Sequence, residues 1–205
     1  MIGKFKQDFT VILLRKIIMN LCAVGWCVWI TGLPGSGKSI VSRALMDLLN
    51  KKGVSVQIIS SDELRKISTP KPTYSIEERD TVYATIIYIA KLLTQNGVNV
   101  LIDATGNLRR YRDVAHSHIP CFIEAYLECP LEICMQREAQ RKETYYAPMH
   151  IYQKATKINT NTVPGIGQPY EIPLHPDITV KTSLLTPKEA AQQIYETITA
   201  KKKIK

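Results

Sequence analysis

The sequence predicts an α/β fold of three layers, α/β/α, in which helices cover both faces of a mostly parallel five-stranded sheet. Two observations predict it. Short apolar runs rich in β-branched residues alternate with helical periodicities five times along the 205 residues, and parallel strands need such crossover connections. The first of these strands also runs into a glycine-rich turn that opens a helix, an arrangement that gathers backbone N–H groups around phosphate.

The elements follow in order. Trp26 to Thr31 (WCVWIT) reads as a buried strand, and Ser39 to Lys52 places Val41, Leu45, Leu48 and Leu49 on one helical face before a stop at Gly53. Val54 to Ser60 is the second strand, ending at Ser61 and Asp62. Ser75 to Asn96 predicts a long helix, capped by Ser75 with Glu78 three residues on and closed by Gly97. Val98 to Asp103 is a third strand with an acid at its end, Leu108 to His116 a helix and Cys121 to Leu127 a fourth strand. Pro130 to Arg141 then predicts a helix, Asp177 to Val180 a last strand and Pro187 to Ala200 a last helix. Residues 142–176, with tyrosines and prolines but no clear period, are expected to form a lid.

The turn after the first strand satisfies G-x-x-x-x-G-K-[ST] at every fixed position, so the fold expected is that of the P-loop NTPases. The nucleotide-contacting stretch is Gly32, Leu33, Pro34, Gly35, Ser36, Gly37, Lys38, Ser39 and Ile40. Lys38 is expected to reach the β- and γ-phosphates of ATP, and the Ser39 hydroxyl to ligate Mg²⁺. Asp103, closing the third strand, either holds Mg²⁺ with Ser39 or caps the next turn. Asp62 is expected to act as general base or to align the acceptor, with a helix N-cap as the bland alternative. Arg137 is expected to stabilise the transferring phosphoryl group or stack on the base, with Arg141 one turn later. Tyr145, Tyr146 and Tyr152 are either aromatic walls or packing.

Composition narrows the class. A hydrophobic fraction of 45% with 22% charged residues is that of a globular chain of one domain. The net charge of +9 is concentrated partly at the ends, and no basic face with aromatic platforms accompanies it, so nucleotide phosphates are the expected anions and nucleic acid is not. The five cysteines form no CxxC pair and have no histidine at ligand spacing, which argues for reduced thiols and a cytoplasmic protein. Phe9 to Val24 is apolar, but Arg15 and Lys16 interrupt it, so no membrane span is expected. Residues 1–24 are read as an extension, with Met19 as an alternative start, and 25–205 as the kinase domain.

From about Gly25 onward, several motifs resemble the adenylylsulfate kinase family. IYQKA (Ile151 to Ala155) and GIGQPYEIP (Gly165 to Pro173) are similar to that family's LYKKA and TGI-x-x-PYE-x-P lid elements. CPLEICMQRE (Cys129 to Glu138) is similar to its passage into the lid, and YSIEER (Tyr74 to Arg79) to its FS-x-x-DR segment. The resemblance implies that Asp62, Arg65, Tyr74, Arg79, Lys154, Gly165 and Ile166 bind the acceptor, adenylyl sulfate, whose 3′-hydroxyl receives the γ-phosphate of ATP.

The chain also departs from the family pattern. Ser60 replaces the first Asp of DGD-x-x-R, Val82 stands in place of an acceptor-binding Asn, and Val163 in place of a stacking Phe. DATGNL (Asp103 to Leu108) replaces FISP, and extra chain separates Arg137 from Ile151 where the family has a compact RDPKGLY. A kinase of the same fold acting on a sugar, an aminoacyl-tRNA or a polynucleotide end is the alternative; a nucleotide switch lacks an NKxD element, and an inactive relative is a further alternative. A homodimer is kept open.

Overall fold

The computed structural model describes residues 24–69, 71–158 and 162–203, so the expectations about residues 1–23, including a start at Met19, lie outside the described residues. Strands β1 (Cys27–Thr31), β2 (Val56–Ser60), β3 (Asn99–Asp103), β4 (Phe122–Glu128) and β7 (Ile178–Lys181) form one sheet in the order β2-β3-β1-β4-β7. Every neighbouring pair is parallel.

Alternation along β1 divides the core. Val28 and Ile30 face a cluster with Leu101, Ile123, Ala125, Leu127 and Val180, covered by Leu45 of α1 (Lys38–Lys51) and by Ala190 and Ile194 of α7 (Pro187–Lys203). Cys27 and Trp29 face the other way, with Val100, Ile102 and Phe122, against Val82, Tyr83 and Ile86 of α3 (Ile76–Gln95) and Tyr111 and Ala115 of α4 (Arg109–His118). Both faces are therefore dry, which is why these strands read as continuous apolar runs. The connection leaving β1 goes to one face and that leaving the adjacent β3 to the other, which opens a crevice between their carboxyl ends.

Three features depart from the sequence reading. A helix α2 (Ser61–Ser68) follows β2 at once, because the Ser60 hydroxyl accepts the Glu63 N–H at 3.4 Å and Asp62 and Glu63 place negative charge in its first turn. The cap is therefore Ser60 and not Asp62, and Ser60 does there what a short acidic residue would do.

The expected lid contains a helix α6 (Ile151–Ile158), preceded by α5 (Leu131–Ala139). Its first N–H, that of Ile151, is satisfied by the buried Glu138 carboxylate at 3.1 Å. Two short strands, β5 (Val163–Pro164) and β6 (Gly167–Gln168), complete the lid. Among the described residues no helix is long and apolar enough to cross a membrane.

Candidate active site

The phosphate loop joins β1 to α1 and is packed from below. Gly35 has φ +83, and a Cβ there would lie 2.3 Å from the carbonyl oxygen of Cys134 on α5, so only glycine lets the loop rest on that helix. The Thr182 hydroxyl donates to the Ser36 carbonyl at 2.9 Å, tying the loop to the end of β7. Lys38 lies across the loop, its Nζ donating to the carbonyls of Gly32 and Leu33 at 3.0 Å each. Burial lowers its pKa from the ordinary lysine value, against the opposing pull of Asp103 and then Asp62.

Asp103 ends β3 beside this lysine. Its carboxylate is 7% exposed; burial raises its pKa, while Lys38 and a hydrogen bond from the Ser39 hydroxyl act to lower it. Asp62, on the first turn of α2, also faces this space, and its charge is felt by Lys38, Asp103 and Tyr74. Hard oxygen donors from Ser39 and Asp103 thus sit together next to the phosphate loop, a donor set that suits Mg²⁺ when phosphates supply the remaining ligands.

The opposite side of this space is built around Tyr74. Its backbone is left-handed (φ +57), and its ring lies 4.9 Å from the guanidinium of Arg65 and 5.9 Å from that of Arg79. Both arginines are buried, at 4% and 5% exposure, and both are braced. Arg65 Nε donates to Glu78 Oε1 at 2.9 Å, while Glu78 Oε2 accepts from the Thr73 and Tyr74 N–H groups at 2.5 and 2.9 Å. Arg79 donates to the carbonyls of Tyr74 at 3.1 Å and Thr162 at 2.5 Å, and to Asn107 Oδ1 at 3.5 Å. Burial and the charge of Asp62 raise the Tyr74 phenol pKa.

The PYE element is structural. Asn107 Nδ2 donates to the Pro169 carbonyl at 3.1 Å, the Tyr170 hydroxyl lies 3.0 Å from Thr31 Oγ1, and Glu171 accepts the Arg109 N–H at 2.7 Å, capping α4. Arg112 adds a bond to the Glu171 carbonyl at 2.6 Å and a pair with Glu124 at 2.5 Å. The lid's return is thereby fastened to the ends of β1 and β3. Gly165, at φ +92, packs where a Cβ would come within 3.0 Å of Leu33 and Leu131, and Ile166 joins the apolar cluster of Cys129, Cys134 and Tyr152.

These parts enclose a cavity of about 930 Å³. Pro34, Gly35, Gly37, Lys38, Ser39, Ile40 and Asp103 line its phosphate end; Asp62, Arg65, Tyr74, Arg79 and Lys154 line the other. Several expected residues are elsewhere. Gly32, Leu33 and Ser36 shape the loop from behind, and Gly165 and Ile166 support it from the lid. Arg137 points away from the cavity because its Nη2 donates to the Thr182 carbonyl at 2.8 Å and its Nη1 lies 3.7 Å from Cys129 Sγ; Arg141, one turn on, lines the cavity instead. Tyr152 is 2% exposed and donates to the Pro34 carbonyl at 2.8 Å, which makes it packing and not a wall.

Comparison with known proteins fixes the family. The family model described as adenylylsulphate kinase matches residues 24–181. The chain belongs to the adenylylsulfate kinase family. It is 34% identical over 172 residues to an adenylyl-sulfate kinase of Rippkaea orientalis, covering 84% of this chain and 90% of that one. The Mycobacterium tuberculosis APS kinase CysC, solved with AMPPNP and APS, superposes with a TM-score of 0.75 at 28% identity, covering 85% of this chain and 97% of that one. A shikimate kinase from Acinetobacter baumannii shares the fold at 19% identity and a TM-score of 0.54, covering 88% of this chain and 96% of that one.

Within the adenylylsulfate kinase frame, the departures have visible physical roles. Ser60 caps α2, Val82 is a core residue at 3% exposure, and Asn107 of DATGN is the brace between Arg79 and the lid. Sequence reasoning passed over Arg43 and Glu78 as site residues. Arg43 follows Ser39 by four positions on one helix, a spacing that puts both on the same face, and this was the available signal.

Proposed function

We propose that this protein transfers the γ-phosphoryl group of ATP to the 3′-hydroxyl of adenylyl sulfate, giving ADP and 3′-phosphoadenylyl sulfate. The observation that carries the reading is one cavity with Lys38, Ser39 and Asp103 at one end and Asp62 with the Arg65–Tyr74–Arg79 cluster at the other. Membership of the family supports it.

The chain's own residues divide the work. Lys38 exchanges its two carbonyl partners for β- and γ-phosphate oxygens and neutralises their charge. Ser39 and Asp103 would hold Mg²⁺, which supplies further neutralisation of the phosphates. Asp62 orients the acceptor hydroxyl and takes its proton as the new O–P bond forms and ADP leaves. Arg65 and Arg79, held by Glu78, Asn107 and Thr162, present fixed positive charge to the acceptor's anionic groups, and Tyr74 offers its ring to the base. Arg137 acts indirectly, its guanidinium holding the Thr182 carbonyl while the Thr182 hydroxyl holds the phosphate loop at Ser36.

Because Asn107 is engaged with Pro169 and Arg79, the DATGN turn serves the lid rather than a different acceptor. Cys27, Cys129 and Cys134 are buried free thiols, which supports a reducing, cytoplasmic setting. The test is ADP release from ATP and Mg²⁺ with adenylyl sulfate, compared with sugars, nucleosides and RNA ends. Stimulation by adenylyl sulfate is expected; stimulation only by another acceptor overturns the substrate.

A further inference from the structure

One wall of the cavity is made by chain that the family's RDPKGLY passage does not contain. Residues 143–149 line the cavity as a continuous stretch. Two side chains pin it. The guanidinium carbon of Arg43 lies 3.5 Å from the centre of the Tyr145 ring. Lys66 Nζ lies 5.4 Å from the Tyr146 ring, and the Glu63 carboxylate beside its hydroxyl raises the phenol's pKa.

The anchors are informative. Arg43 is on α1, which begins with Lys38 and Ser39, and Glu63 is on α2 next to Asp62. The inserted stretch is therefore fastened to the helix of the phosphate end and to the helix of the acceptor-aligning carboxylate. The phosphate loop itself is held by bonds that do not pass through the insertion, from Thr182 to Ser36 and from Tyr152 to Pro34. Lys154 and Thr162, by contrast, lie on the same lid and line the cavity, and the Thr162 carbonyl accepts from Arg79 of the acceptor end. Loosening the insertion should disturb the acceptor half and leave the phosphate half in place.

We propose that Arg43 and Tyr145 are a positioning pair that sets affinity for the acceptor: the ring seated on the guanidinium keeps residues 143–149 in place as the outer wall of the acceptor pocket. The kinetic part of the test rests on the kinase reading above. An exposed cation–π contact predicts a modest effect, so Tyr145→Ala raises the KM for adenylyl sulfate about two- to fivefold, with the KM for ATP and kcat unchanged. Tyr145→Phe keeps the aromatic face and behaves as wild type. Arg43→Ala raises the KM for adenylyl sulfate by the same factor as Tyr145→Ala, and the double variant raises it no further. Parallel rises in both KM values, a multiplied effect in the double variant, or loss in Tyr145→Phe equal to that in Tyr145→Ala would overturn the pair.

Deuterium uptake over residues 143–149, measured without any ligand, separates this inference from the choice of substrate. Faster uptake is expected in Arg43→Ala and Tyr145→Ala and not in Tyr145→Phe. Unchanged uptake in the first two sinks the pair even if adenylyl sulfate is the substrate, and faster uptake supports it even if adenylyl sulfate is not.

Discussion

Asn107 holds Pro169: its side-chain amide donates to the proline's carbonyl at 3.1 Å while its oxygen faces Arg79 at 3.5 Å. One buried side chain, 1% exposed, thus connects the turn after β3, an arginine of the acceptor cluster and the return of the lid.

Replacing it should cost both stability and acceptor affinity. Asn107→Ala takes one partner from the buried Arg79 guanidinium and releases the Pro169 carbonyl, a loss of about 1–3 kcal/mol. Urea denaturation should show this loss, and steady-state kinetics a raised KM for the acceptor with that for ATP little changed.

Lys38 and Asp62 should separate chemistry from folding. Lys38→Ala is expected to lower kcat by about 10²–10³-fold or more without lowering the thermal midpoint, because the ammonium is desolvated in the free protein. Asp62→Asn should lower kcat by about 10²–10⁴-fold while calorimetric ATP affinity stays the same. Full activity of the Asp62 variant would remove that carboxylate from the mechanism.

The pH profile follows from two opposed shifts. Burial raises Asp103 above its ordinary value of 3.8 and lowers Lys38 below 10.5. Activity needs the first ionised and the second charged. The acid limb of kcat/KM should therefore lie above the ordinary aspartate range and the alkaline limb below the ordinary lysine range, giving a bell narrower than unperturbed groups would produce.

Glu78 links acidity to the acceptor loop. Burial alone would raise its pKa, but hydrogen bonds from Thr73 and Tyr74, with the charge of Arg65, outweigh it and hold the carboxyl below 4.5. The stability it contributes is present above its unfolded value and is lost as pH falls through the lower folded value. Glu78→Gln should cost about 1–3 kcal/mol at neutral pH, because Arg65 loses a charged partner in a buried site. Denaturation curves of the variant and the wild type should converge in acid.

Much of the sheet was legible because each strand that is buried on both faces carries an apolar run, as CVWIT and NVLID do. The phosphate loop was legible because its glycines and Lys38 obey a fixed spacing. Helix α6 was not, since eight residues offer little periodicity and its start is satisfied by Glu138, a residue thirteen positions away. Arg137 was read as facing the reaction, but the partner that turns it, the Thr182 carbonyl, arrives from β7 forty-five positions later. Spacing can place a side chain on a helix face; it cannot show which distant carbonyl will capture it.

A Cβ on Gly165 would lie 3.0 Å from Leu33, closer than side chains ordinarily pack. The turn of the lid and the loop that cradles phosphate therefore share a single bearing surface. From Gly165 the chain runs back through Val163 to Thr162, whose carbonyl accepts from Arg79. A bulkier residue at 165 would therefore press at once on the phosphate loop and on the segment that braces Arg79.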